Sequence, residues 1–194
     1  MSDIEQERNS ESAAVFSDED AQWMAYALRL AAKGEGIGEV PVGAVIVHDG
    51  KNIGEGFNQP ITSHDPTAHA EIIALRQAAA HVQNYRLIDS TIYVTLEPCT
   101  MCVGALVHAR IARLVFGANE TKAGAVVSKS QLLNNDYFNH RVNYIGGLMA
   151  HQCQHQLSHF FAARREQKRK EKLVKRVTDS AVVERSLSGQ DELL

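Results

Sequence analysis

The run Glu97-Pro98-Cys99-Thr100-Met101-Cys102 sets two thiols three residues apart at what reads as the start of a helix. At that spacing both sulfurs lie on one helical face and can reach a single ion. Pro98 suits a first turn, where a missing N–H costs nothing, and the unpaired N–H groups of a helix start favour thiolate over thiol. The chemistry this supports is binding of a soft or borderline metal, with a redox dithiol as the plainer alternative. A closed structural zinc site needs two further ligands, and the chain has no second Cys-x-x-Cys. Thirty residues before Cys99 comes His69-Ala70-Glu71, at the mouth of another apolar run. Residues two apart on a helix do not face each other, so His69 and Glu71 act in different roles or in none. If both helices start at one edge of a sheet, His69, Cys99 and Cys102 can close three corners of a tetrahedron and leave the fourth to water, as a catalytic zinc requires. Taken alone, His69 is one histidine of nine, and a buried ring with an ordinary hydrogen bond is its plainer reading.

The elements that must position these groups follow from the sequence pattern. Ser17, the acids behind it and apolar spacing at Trp23, Met24, Ala27, Leu28 and Ala31 predict a first helix ending at Gly34. VGAVIVHDGKNIGEGF is two strand-like runs about an Asp49-Gly50 turn, a hairpin. Asp65-Pro66 offers a cap and a first-turn proline, so a helix is expected from about residue 66 to residue 81. STIYVTLE reads as a buried strand, PCTMCVGALVHAR as a helix and RLVFGA as a strand. Between Asn119 and Gly147 no strong element is visible, and from Leu148 a last helix runs to about Arg176. This order predicts an α/β fold, a mixed sheet with an N-terminal hairpin and helices on both faces. Strands after the hairpin are joined through helices and should pair in parallel.

At 194 residues and 44% hydrophobic content, one domain with a sizeable core is expected. The net charge of -3 hides its distribution: residues 1–20 carry seven acids and one base, residues 21–163 ten of each, and residues 164–176 eight bases and two acids. The expected division is an acidic disordered arm at 1–16, a folded body at 17–165 and a basic, then polar, tail at 166–194. The basic cluster, headed by Arg164 and Arg165, is a candidate phosphate contact, with a solvated helical tail as the alternative. Three cysteines cannot all pair, the opening residues lack the apolar core of a signal peptide, and no apolar run approaches a membrane span. A reducing cytoplasm, with no membrane partner, is the expectation. His151, His155 and His159 repeat every four residues around Cys153 and imitate a metal face, but no carboxylate or Pro-Cys frame accompanies them, and Cys153 reads as a small buried residue.

His69-Ala70-Glu71 together with Pro98-Cys99-Thr100-Met101-Cys102 resembles the signature of the zinc-dependent cytidine and deoxycytidylate deaminase superfamily. EVPVGAVIVHDGKNIGEGFNQPITSHDPTAHAEIIALRQAA and NYRLIDSTIYVTLEPCTMCVGALVHARIARLVFGA are similar, within it, to the tRNA-specific adenosine deaminases, and the likeness runs over about residues 20–165. The resemblance makes residues 17–165 a deaminase domain and implies hydrolytic deamination of adenosine to inosine at the wobble position of a tRNA anticodon stem-loop. It also implies a three-layer α/β/α sandwich, cytidine-deaminase-like, working as a homodimer with one zinc ion (Zn2+) per chain. It assigns His69, Cys99 and Cys102 as zinc ligands, Glu71 as the catalytic proton shuttle and Asn58 as the side chain that hydrogen-bonds the flipped base. Asn119-Glu120 departs from relatives that commonly carry aspartate second, so the nucleic-acid contact of that loop is expected to differ in detail. A deaminase of a free nucleobase, nucleoside or nucleotide is the nearest alternative, and the basic segment favours RNA over it. A non-catalytic zinc-containing tRNA-binding subunit is the second alternative; such subunits often lose the glutamate, and Glu71 is present.

Overall fold

The computed structural model describes residues 16–188, with side chains to residue 175; the expected acidic arm, Phe16 apart, lies outside the described residues. The chain divides into two units, residues 1–155 and 156–194. In the first, helix α1 (Asp18–Gly36) begins as its sequence predicts. Ser17 accepts from the Asp20 N–H while the Asp20 carboxylate accepts from the Ser17 N–H, both at 3.0 Å, a reciprocal cap. The helix continues two residues past Gly34. Strands β1 (Gly43–His48) and β2 (Lys51–Phe57) form the hairpin, with Asp49 and Gly50 both at positive φ in its turn.

There follow a single turn α2 (Pro60–Ser63), α3 (Ala70–Val82), β3 (Thr91–Leu96), α4 (Thr100–His108), β4 (Arg113–Ala118), a 3-10 turn (Leu132–Asn134), β5 (Asn143–Gly146) and α5 (Ala150–Ser188). The sheet order is β2-β1-β3-β4-β5. β3 pairs with β4, and β4 with β5, in parallel; β1 is antiparallel to both β2 and β3. The helix-joined strands β2 and β3 therefore run the same way, but β1 lies between them, so they are not the neighbours that the connection rule alone suggests.

Strand β5 corrects the expectation that residues 119–147 hold no strong element. It is four residues long, pairs on one side only and is not fully buried at any position, so it carries none of the alternation or apolar density that marks a strand in sequence. A second correction concerns α3, which starts at Ala70 and not near Pro66. Asp65 caps a local turn, accepting from the N–H and hydroxyl of Thr67, both at 2.7 Å, and the helix begins only after that turn closes. The final helix runs beyond Arg176 to Ser188, unbroken across the expected boundary at residue 165.

The layers follow from the pleat. On one face Val45, Val47, Tyr93 and Val115 pack with Met24, Ala27 and Leu30 of α1 and with Cys153 at the start of α5. The other face carries α3, drawn close by two glycines of β2. A Cβ on Gly54 would lie 2.5 Å from the Ala74 carbonyl, and one on Gly56 2.5 Å from the Ala70 carbonyl. Those approaches seat the first turn of α3 against the sheet, and so set the height of His69 above it. A buried network ties the α1 face together: Arg113 donates to both Asp20 oxygens, at 2.6 and 3.0 Å, and the Tyr93 hydroxyl donates to Asp20 at 2.8 Å. The result is the three-layer mixed sheet expected from the sequence. No helix among the described residues is long and apolar enough to cross a membrane.

Candidate active site

Helices α3 and α4 start at neighbouring points, and the residue in the capping position is His69 in one and Cys99 in the other. Neither side chain caps its own helix. For α3 that duty falls to Asn58, twelve residues earlier, whose Oδ1 accepts from the Ala70 N–H at 2.9 Å. The arrangement frees the imidazole, and it anchors Oδ1 of Asn58 on the helix so that the NH2 is left as a donor to offer a ligand.

His69 Nδ1 lies 3.7 Å from Cys99 Sγ and 3.6 Å from Cys102 Sγ. All three donor atoms fall within 4.8 Å of one another, the only such His/Cys/Asp/Glu group among the described residues. A tetrahedral zinc with bonds of about 2.3 Å to sulfur and about 2.0–2.1 Å to nitrogen requires N···S edges of about 3.6 Å. The donor set and its spacing fit zinc, with one tetrahedral position open. Glu71 is outside the triad but beside it, 4% exposed, in the first turn of α3.

The electrostatics match that division. The Cys99 thiol is drawn down to about 4, first by the hydrogen bond from Cys102, against the cost of burial and with help from His69. Cys102 is pushed far up by the same bond, by burial and by the Glu71 charge. Ligation takes both sulfurs as thiolates, so binding a dication there releases protons. His69 is raised, chiefly by its bond to Cys99, and burial opposes this. Glu71 is raised by complete burial, which its own backbone N–H and a bond from Cys102 only partly counter. A carboxyl held nearer neutrality is suited to carrying protons in both directions.

One residue the sequence reasoning passed over is Glu97, at the end of β3 and 2% exposed. Its Oε1 accepts from the N–H groups of Val126, Val127 and Ser128 at 3.0, 2.7 and 2.9 Å. Its Oε2 accepts from the Glu120 N–H at 3.0 Å and from the Ser128 hydroxyl. Burial alone would raise this carboxyl; the hydrogen bonds from Ser128, Val127 and Glu120 outweigh it and hold the group below its usual range. The signal available in sequence was a carboxylate closing an apolar strand directly before Pro98-Cys99.

Arg164 and Arg165 belong to the second unit, exposed on α5, with the Arg164 guanidinium 5.9 Å from the centre of the Phe160 ring. His151 and His155 stack at 6.4 Å between ring centres. Cys153 is buried against Gly117, where burial pushes its thiol up to about 11.

Residues 17–118 match the model of the cytidine and deoxycytidylate deaminase zinc-binding region, and the chain belongs to this family of zinc-dependent deaminases. Among individual proteins it is similar to the tRNA-specific adenosine deaminase of Haemophilus influenzae, 53% identical over 171 residues that cover 87% of this chain and 99% of that one. A solved tRNA:A34 deaminase, studied for A-to-I editing at the wobble position of transfer RNA, superposes with a TM-score of 0.68 at 39% identity. It covers 70% of this chain and 99% of its own. The guanine deaminase of Bacillus subtilis superposes with a TM-score of 0.51 at 35% identity, covering 77% and 95%.

Proposed function

We propose that this deaminase converts adenosine to inosine at the wobble position of a tRNA anticodon, using one zinc per chain held by His69, Cys99 and Cys102. The observation that carries the chemistry is the buried Glu71 set beside a triad of three metal-donor atoms. The substrate class is supported by the extent of likeness to the Haemophilus influenzae relative, which spans 99% of that protein.

Zinc in such a site supplies Lewis acidity that makes water nucleophilic near neutral pH. Around it the chain's own groups do the rest. Glu71 accepts one proton of the attacking water and passes it to the purine ring nitrogen, then carries the second, from the hydroxyl now on carbon, to the amino group that departs as ammonia. Asn58, with Oδ1 engaged by α3, presents an N–H donor, which suits a ring nitrogen acceptor such as N7 of adenine. The basic segment headed by Arg164 and Arg165 meets phosphates of the RNA. The half-buried strip of α4 formed by Met101, Gly104 and Ala105, where Gly104 has open space around it, supports a second copy of the chain packing there as a homodimer.

Incubation of the zinc-loaded protein with an anticodon stem-loop carrying adenosine at the wobble position, followed by nucleoside analysis, should yield inosine. No inosine from that substrate, with xanthine formed from guanine instead, would replace this reading with a free-base deaminase, the alternative that the Bacillus subtilis structure favours. Sedimentation at micromolar concentration should show a dimer, and a monomer there would remove the assembly.

A further inference from the structure

The loop at 119–129 is folded around one carboxylate. Three consecutive N–H groups, of Val126, Val127 and Ser128, converge on a single oxygen of Glu97, an anion nest filled by the protein itself. Gly124 completes the fit, since a Cβ there would lie 2.4 Å from the Glu97 carboxyl carbon. The same loop is sewn to the metal-binding turn: Gly124 pairs with Cys99 as an isolated bridge, and the Ala125 N–H donates to the Pro98 carbonyl at 2.9 Å. Its leading end carries Asn119 and Lys122 in the open and Glu120 half-buried, a few residues before the Gly124 bridge to Cys99. That leading end is held to the nest by the Glu120 N–H, which donates to Oε2 of Glu97 at 3.0 Å, and by the Glu120 carbonyl, which accepts from the Gly124 N–H at 2.9 Å.

We propose that Glu97 is a positioning residue that sets residues 119–122 in register against Cys99, and thereby determines how tightly the RNA around the target nucleoside is held. The inference rests on the tRNA reading above. Its logic is a count of donors and acceptors. Glutamine keeps the shape of Glu97 but offers one acceptor and one donor where glutamate offers two acceptors. The carbonyl stays with the three converging N–H groups, because that side makes three bonds. The NH2 then faces the Glu120 N–H, donor against donor, while the Ser128 hydroxyl can turn to accept. The leading end keeps its bond from the Gly124 N–H to the Glu120 carbonyl but loses the one that fixes the Glu120 N–H, so it is loosened, and the zinc ligands are untouched.

The test is Glu97→Gln and Ser128→Ala in the full-length, zinc-loaded protein, with zinc content, kcat and KM for the anticodon stem-loop, and amide exchange along the loop. Glu97→Gln is expected to keep one zinc per chain and kcat within about threefold, while KM rises about tenfold, the usual consequence of removing one bond to a charged group. Exchange should quicken at Glu120 and stay unchanged at Val126, Val127 and Ser128. Lost zinc, a fall in kcat at constant KM, or no change in KM overturns the proposal. Should Glu97→Gln fail to fold, Ser128→Ala decides: a KM rise of about threefold supports the role, and an unchanged KM removes it. If the wild type forms no inosine, the functional reading falls and exchange alone judges Glu97, faster at Glu120 in its support and unchanged against it.

Discussion

Replacing Glu71 with glutamine should make the protein inactive and, at the same time, more stable. The carboxyl is buried, and its burial raises the folded-state pKa above the ordinary glutamate value near 4.3. The sign follows from linkage. A carboxyl that binds its proton more tightly in the folded state contributes full stability only below its unfolded pKa, and costs stability as pH rises through the folded one. At pH 8 the zinc-free wild type therefore bears the cost of a buried charge that Gln does not carry. An imperfectly compensated buried polar group is worth about 1 to 3 kcal/mol, which for a chain of this size is about 3 to 10 °C in Tm. Activity moves the other way. General acid–base catalysis is typically worth about 10² to 10⁴ in rate, roughly 3 to 5 kcal/mol, and here one group serves several transfers, so the loss should reach the upper end or beyond. The assays are inosine formation by the zinc-loaded variant, zinc content, and thermal unfolding in chelator at pH 5 and pH 8. Loss of zinc would make Glu71 a ligand and refute the division of roles. Full activity would place the proton carrier elsewhere, and a Tm unchanged at pH 8 would refute the burial argument.

His69→Ala and Cys99→Ala should each lose zinc by metal analysis while Cys153→Ala retains it; zinc affinity should also weaken as pH falls, because ligation needs deprotonated thiolates. Asp20→Asn leaves one acceptor oxygen where two serve now, so it loses one of the two Arg113 bonds and either the Tyr93 bond or the Ser17 N–H bond of the α1 cap, and should cost about 2 to 4 kcal/mol by denaturant titration at pH 7. Because Asp20 is held well below the usual range, its contribution is complete above the unfolded value near 3.9 and fades as pH falls towards the folded one, so variant and wild type should converge in strong acid. Truncation after Ala163 removes the basic cluster and should weaken tRNA binding and flatten its salt dependence, by about 0.7 to 0.9 in log-log slope for each phosphate that the shortened chain no longer neutralises. An unchanged slope would assign those residues to solvent.

What the sequence determined by itself is what depends on neighbours within a few residues. The cap and stripe of α1, the Asp49-Gly50 hairpin, the buried run of β3 and the Cys-x-x-Cys face of α4 are local patterns, and each is found where its pattern lies. The residue types of the site are equally legible: two sulfurs on one helical face, and a histidine and a carboxylate spaced so that they cannot share a role. Tertiary structure decided whatever depends on partners distant in the chain. α3 begins at Ala70 because Asn58 satisfies its first N–H from twelve residues away, and because the Asp65 carboxylate is already engaged by Thr67. β5 is a strand only because β4 lies beside it. β1 sits between β2 and β3 although no local signal orders strands across a sheet. Glu97 read as one acid among 23, and its role exists only where residues 120–128 fold back to it. Short-range propensity is written along the chain, whereas a buried carboxylate takes its meaning from the donors that surround it, and those are assembled only by the fold.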